Sequence, residues 1–258
     1  MRTQPFLEAL PSLWDGDASI ADHPRDRRFR QVLDNLGGMT TENKLALLNL
    51  AASFLEPGEV YLEIGTYLGT SVIAAALGNG GEFIAVDDFS QFGGPEKECR
   101  RNLSCYSPEQ TTLVVGDAWG FLDSLDRPVG VYFYDAGHTF NDHWRALASI
   151  EPHLSDNALV IIDDASHWPV QLANRAFTRM RRQFDCVYYF RSAYNGEPRW
   201  WNGVIVYRYC RLLARPVPQL FDRFFRAGGL IIAGPPYEFS RNLAARARDV
   251  AVKIKRGD

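Results

Sequence analysis

Five short apolar runs recur through the middle of the chain. VYLEI at 60–64, EFIAV at 82–86, TLVVG at 112–116, VGVYFY at 129–134 and ALVII at 158–162 each have the length of a strand. The stretches between them are compatible with helices. The clearest is 139–154, where Phe140, Trp144, Leu147, Ile150 and Leu154 fall on one helical stripe. Nearly all-apolar strands separated by helices predict a parallel sheet covered on both faces. Right-handed crossovers then require a doubly wound α/β sheet. A further helix is predicted over 170–182, followed by two more strands, CVYYF at 186–190 and GVIVYRY at 203–209.

The flanks read differently. A helix is predicted over 41–55, with Thr41 as N-cap, Leu45, Leu48, Ala52 and Leu55 at helical spacing, and Pro57-Gly58 as its stop. The charged stretch 22–30 reads as a solvated N-terminal helix. Near the other end, Phe221, Phe224 and Phe225 share one side of a predicted helix, which suits a packing or dimer surface. A basic helix is predicted over about 238–255. The chain therefore divides into an N-terminal helical segment (1–57), a central domain (58–210) and a C-terminal helical extension (211–258).

Composition narrows the partners. The 258 residues are 46% hydrophobic and 23% charged, with a net charge of -3, so nothing in bulk points to nucleic acid or an anionic membrane. No apolar run approaches the ~18 residues of a membrane span, and no signal peptide is visible, so a cytoplasmic protein is expected. Four cysteines without a C-x-x-C pair read as buried free thiols.

The first strand runs into EIGTYLGTS, residues 63–71, with a helix from about Gly69. Such a loop, at the carboxyl edge of a parallel sheet, is where an open α/β fold binds ligands. A dinucleotide site would want G-x-G-x-x-G, but Tyr67 stands where the second glycine belongs and would obstruct a pyrophosphate. The second strand ends in Asp87-Asp88, and an acid there can accept hydrogen bonds from both ribose hydroxyls. The third ends in Gly116-Asp117-Ala118, which suits the edge and face of an adenine.

EIGTYLGTS, AVDDF, VVGDA, FYDAGHTF and ALVIIDDAS, taken together over roughly 40–208, resemble a class I S-adenosylmethionine-dependent methyltransferase. The branch most similar is that of small-molecule O-methyltransferases, which includes the catechol, caffeoyl-coenzyme A and macrolide-sugar enzymes. The resemblance implies a Rossmann-like sheet of seven strands, mostly parallel with the last antiparallel. It places Glu63, Gly65, Thr66, Tyr67, Gly69 and Ser71 against S-adenosylmethionine, with Glu63 and Gly65 at its methionine part. It puts Asp87 on the ribose, Asp117 and Ala118 on the adenine, and Asp135 alongside.

Asp135, Asp163 and Asp164 should reach the same edge, where three carboxylates repel unless neutralised. An octahedral Mg²⁺ would do this, and the resemblance puts metal ligands at these three positions. Adjacent strand residues face opposite ways, so Asp163 and Asp164 share an ion only if the strand has already turned at Asp164. His138 and His167 are the candidate bases. Gly137 replaces the second acid of the branch's D-G-D-H motif, which leaves Asp135 in less polar surroundings. Trp200, Trp201 and Tyr194 read either as an aromatic wall of the acceptor pocket or as core.

The expected function is Mg²⁺-assisted methyl transfer to a hydroxyl of a small molecule, with a natural-product sugar as one acceptor class. Two alternatives stay open: a metal-independent enzyme with a histidine base, and a non-catalytic binding or assembly subunit. A homo-oligomer would form through the C-terminal helices.

Overall fold

The structure is a computed structural model, and it describes residues 1–107, 109 and 111–214. In chain order its helices and strands are α1 (Thr3–Ala9), α2 (Arg28–Leu36), α3 (Glu42–Ala52), β1 (Val60–Ile64), α4 (Thr70–Ala76), β2 (Glu82–Asp87), α5 (Glu96–Tyr106), β3 (Thr111–Val115), α6 (Ala118–Ser124), β4 (Val129–Tyr134), α7 (Phe140–Ile150), β5 (Leu154–Ile162), α8 (Trp168–Met180), β6 (Phe184–Phe190) and β7 (Val204–Cys210). The strands form one sheet in the order β3-β2-β1-β4-β5-β7-β6. Pairs among β1 to β5 are parallel, and β7 runs antiparallel to both neighbours. This is the doubly wound, seven-stranded sheet that the sequence pattern and resemblance imply.

The strand side chains alternate between two cores. Tyr61, Phe83, Val131, Phe133, Leu159 and Ile161 pack with α3, α4 and the N-terminal Phe6, Leu10 and Trp14. Leu62, Ile64, Val86, Tyr132, Tyr134, Val160 and Ile162 pack with Trp144 and Leu147 of α7 and Val170 and Phe177 of α8. Each such buried side chain contributes about 1.5–3 kcal/mol. Both faces of β1 and β4 are buried, which is why their sequences are nearly all apolar.

The chain order reverses between β1 and β4, opening a crevice at the carboxyl edge. Ladder hydrogen bonds bring the strand tips level there: Gly65 N donates to Val86 O, Asp135 N to Ile64 O, Asp163 N to Tyr134 O and Gly116 N to Asp87 O. The residue after each strand therefore emerges at one edge.

Several expectations are corrected. Stretch 22–30 is not a helix from its start: α2 begins at Arg28, after Pro24, and the Asp26 carboxylate accepts from Arg28 N at the turn. The 139–154 helix ends at Ile150, because Pro152 opens a 3₁₀ turn, and Leu154 starts β5. The cysteines are free, but only Cys99 is buried; Cys105 and Cys186 are exposed. No described helix is long and apolar enough to cross a membrane. The predicted Phe221–Phe225 surface and the basic C-terminal helix lie outside the described residues.

Candidate active site

The glycine loop is shaped by what lies behind it. Gly65 has φ +90°, and a Cβ there would sit 2.0 Å from the carbonyl oxygen of Asp135. Only glycine lets the tips of β1 and β4 approach this closely. Gly69, at φ +82°, caps α4 against Cys99 and Leu103. Between them the Thr66 and Tyr67 N–H groups donate to Asp87 Oδ2 at 2.7 and 2.8 Å, and Phe89 N donates to Asp87 Oδ1. Asp87 therefore fastens the loop while still lining the cavity.

Glu63, expected at the methionine part of a cofactor, lies beneath the loop and does not line the cavity. It is fully buried and accepts hydrogen bonds from Tyr61 Oη (3.0 Å), Thr66 Oγ1 (2.5 Å) and Ser71 Oγ (2.7 Å). Burial pushes its carboxyl up to about 7, although the hydroxyls pull the other way. Asp117 caps α6 by accepting from Gly120 N, and with Ala118 and Trp119 it lines the far wall.

The cavity has a volume of about 270 Å³. Five non-glycine residues have left-handed backbone among those described, Tyr67, Phe89, Phe92, Asp164 and Trp201, and all five line it. Such strain, costing of order 1–3 kcal/mol per residue, is retained where surroundings over-determine it, and it concentrates at functional sites.

The acid side holds the charges. Asp164 turns away from the line of β5 at φ +54°. Its carboxylate meets His138 Nε2 and accepts from Asn202 Nδ2 at 2.6 Å. Asp163 points elsewhere: it pairs with Lys44 Nζ, with the side chains 3% and 1% exposed, and also accepts from Asp164 N at 2.7 Å. The trio brought together, with donor atoms within 4.8 Å of one another, is Asp135, His138 and Asp164 rather than Asp135, Asp163 and Asp164. The strand does turn at Asp164, but the turn separates the two acids instead of uniting them.

These charges bias one another. Burial and then the charges of Asp163 and Asp164 hold the Asp135 carboxyl well above its ordinary value. Burial opposes the His138 imidazolium, but the adjacent Asp164 carboxylate outweighs it and raises the histidine's pKa. Burial would likewise raise Asp164, yet His138 and Lys44 hold it below the usual carboxylate range.

His167, the other candidate base, is outside the cavity lining. It stands at the N-cap position of α8 without a side-chain capping bond, hydrogen-bonds Asn195 Oδ1 at 3.1 Å, and stands edge-on to His138 at 5.9 Å between ring centroids. The three aromatics of the β6–β7 loop part company. Trp200 is core, stacked on Phe190 and donating to Ala18 O at 3.1 Å; Trp201 lines the cavity; Tyr194 is 57% exposed. Sequence reasoning missed Lys44 and Asn202. A lysine heading the mostly apolar KLALLNLAA was the available cue for the first.

The family model described as a methyltransferase domain matches residues 62–165. That match spans β1 to the turn after β5, the stretch supplying the glycine loop, Asp87, Asp117, Asp135, His138 and Asp164. No curated protein matches the chain at a significant level. The chain shares its fold with solved structures of low sequence identity. The O-methyltransferase TomG from Streptomyces achromogenes, involved in tomaymycin synthesis and solved in complex with SAM, is 17% identical with a TM-score of 0.54, over 81% of this chain and 99% of that one. A Bacillus cereus O-methyltransferase in complex with SAH is 16% identical with a TM-score of 0.53, covering 72% and 92%. A methyltransferase from Geobacter sulfurreducens is 21% identical with a TM-score of 0.53, covering 81% and 96%.

Proposed function

We propose that the protein is a methyltransferase that moves a methyl group from S-adenosylmethionine to a hydroxyl oxygen of a small molecule, assisted by a divalent cation such as Mg²⁺. One observation carries this reading: a single cavity has the glycine loop, Asp87 and Asp117 on one side and the Asp135–His138–Asp164 cluster on the other. Thr66, Tyr67, Gly69, Ser71, Asp87, Asp117 and Ala118 would hold the methyl donor. Gly65 serves by its close approach to Asp135 and Glu63 by bracing the loop from below. The structures of TomG with SAM and of the Bacillus cereus enzyme with SAH, which share the fold, support the choice of donor.

The donor set of the cluster, two carboxylate oxygens and an imidazole nitrogen, fits a cation. A bound cation there would lower the acceptor hydroxyl's pKa and offset the carboxylate charge. The protein's own part is positioning: Asn202 fixes Asp164, Lys44 holds Asp163 aside, and the strained turns at Asp164 and Trp201 set the acceptor wall.

A second reading has its own support. His138 and Asp164 are in contact, so in a metal-free enzyme the neutral His138 imidazole would receive the hydroxyl proton and Asp164 would stabilise the imidazolium that forms. Calorimetry with S-adenosylmethionine tests the donor; an absence of binding removes the whole reading. Methyl transfer measured after EDTA treatment separates the two versions, since the cation-assisted enzyme loses nearly all activity and the metal-free one keeps it.

A further inference from the structure

We infer that Lys44 takes Asp163 out of the cation site and that His138 stands in its place, so that the site selects a borderline transition-metal ion such as Zn²⁺ or Co²⁺ over Mg²⁺. This rests on the cation-assisted reading of the same site.

Three observations support it. Asp163 is committed: its carboxylate meets the Lys44 ammonium and accepts from Asp164 N, with both side chains of the pair almost wholly buried. Turning it toward the cavity would strand a buried ammonium without a partner, which is strongly unfavourable. The remaining donors, one oxygen each from Asp135 and Asp164 and a ring nitrogen of His138, lie within 4.8 Å of one another, a spacing three ligands of a single ion can adopt. Imidazole with carboxylates suits borderline ions, whereas Mg²⁺ favours oxygen donors only and keeps much of its water.

The Lys44–Asp163 pair cancels internally, and an ion binding at the remaining three donors would displace any protons on Asp135 and His138, as ligation requires. No described residue donates a hydrogen bond to the Asp135 carboxylate, which lies at the cavity wall. Lys44 comes from α3, outside the family-matched stretch, so the acids after β4 and β5 alone would not disclose this sorting.

The test is calorimetric titration of the metal-stripped full-length protein with Zn²⁺, Co²⁺ and Mg²⁺ separately. Every oxygen and nitrogen site favours Zn²⁺ to some extent, so the variants decide the matter. H138Q should weaken Zn²⁺ and Co²⁺ about 10–100-fold while changing Mg²⁺ by less than about twofold. The double variant K44M/D163N, which removes both charges, should leave Zn²⁺ affinity within about threefold, whereas D164N should cost about 100-fold. In the Co²⁺-loaded wild-type protein, a paramagnetically shifted imidazole N–H signal should appear, and this readout needs no variant to fold. Mg²⁺ bound as tightly as Zn²⁺, no shifted imidazole signal, or a loss in K44M/D163N equal to that in D164N would each overturn the inference. All three of these leave Mg²⁺-assisted transfer standing. Failure of every ion to bind overturns the inference and cation assistance together. S-adenosylmethionine titrated into the same protein reports separately on methyl transfer.

Discussion

The glycine-loop wall and the acid wall of the cavity are held in opposite ways. In the loop wall, main-chain N–H groups and hydroxyls close on Asp87 and Glu63, so each carboxylate sits in a cage of local dipoles. In the acid wall, Asp163 and Asp164 are each held by a basic side chain, Lys44 and His138. Dipole cages are supplied by residues close in sequence or across one strand pair. Charge pairs reach farther: Lys44 and Asp163 are 119 positions apart. The first wall is consequently a property of the βαβ unit, and the second a property of the whole assembled fold.

Substitutions can break this contrast from either side. The largest effect should come from Gly65→Ala, whose added carbon would overlap the Asp135 carbonyl at a left-handed position. A loss of about 4 kcal/mol or more in denaturant unfolding is expected, together with loss of S-adenosylmethionine binding. Next is Lys44→Met, which leaves a buried carboxylate unpaired and should cost about 3 kcal/mol by the same measurement. K44M/D163N should recover most of that loss, and a failure to recover would mean that Lys44 matters through packing rather than charge. Asn202→Ala removes a charge-assisted bond to Asp164 and should cost about 1.5–3 kcal/mol, with the loop wall's cofactor affinity left nearly intact.

The smallest effect concerns pH in the metal-free protein. His138 is raised above its ordinary value of 6.5 by Asp164 against the pull of burial. Its contribution to stability is therefore complete below pH 6.5 and fades as pH rises through the higher folded value. Urea midpoints measured from pH 6 to 9 should fall more steeply for the wild type than for H138Q. Parallel slopes would remove the ion pair from the account.

The same contrast explains what could be read from the chain. Strand tips were legible because each apolar run stops at an acid or a glycine, and parallel register then brings Gly65, Asp87, Asp117 and Asp135 to one edge. The fold followed from that alternation and from the family resemblance. What stayed hidden depends on which way neighbouring residues turn once a strand has ended. Asp163 and Asp164 are consecutive, as are Trp200 and Trp201, yet one of each pair goes inward and the other lines the cavity. Loop residues carry no periodicity, so the direction is set by distant partners: Lys44 for Asp163, Phe190 and Ala18 O for Trp200.

The reversed strand β7 has a consequence of its own. Strands β1 to β5 run toward the cavity edge, whereas β7 runs away from it, with Trp201 and Asn202 just before its start lining the cavity. The 191–203 segment is therefore held between two paired strands, with Trp200 anchored in the core and Asn202 on Asp164. It arrives after every element of the donor wall has been laid down. A change of length confined to its outer part, around the exposed Tyr194, would alter what stands beside Trp201 while leaving the glycine loop and its hold on Asp87 in place.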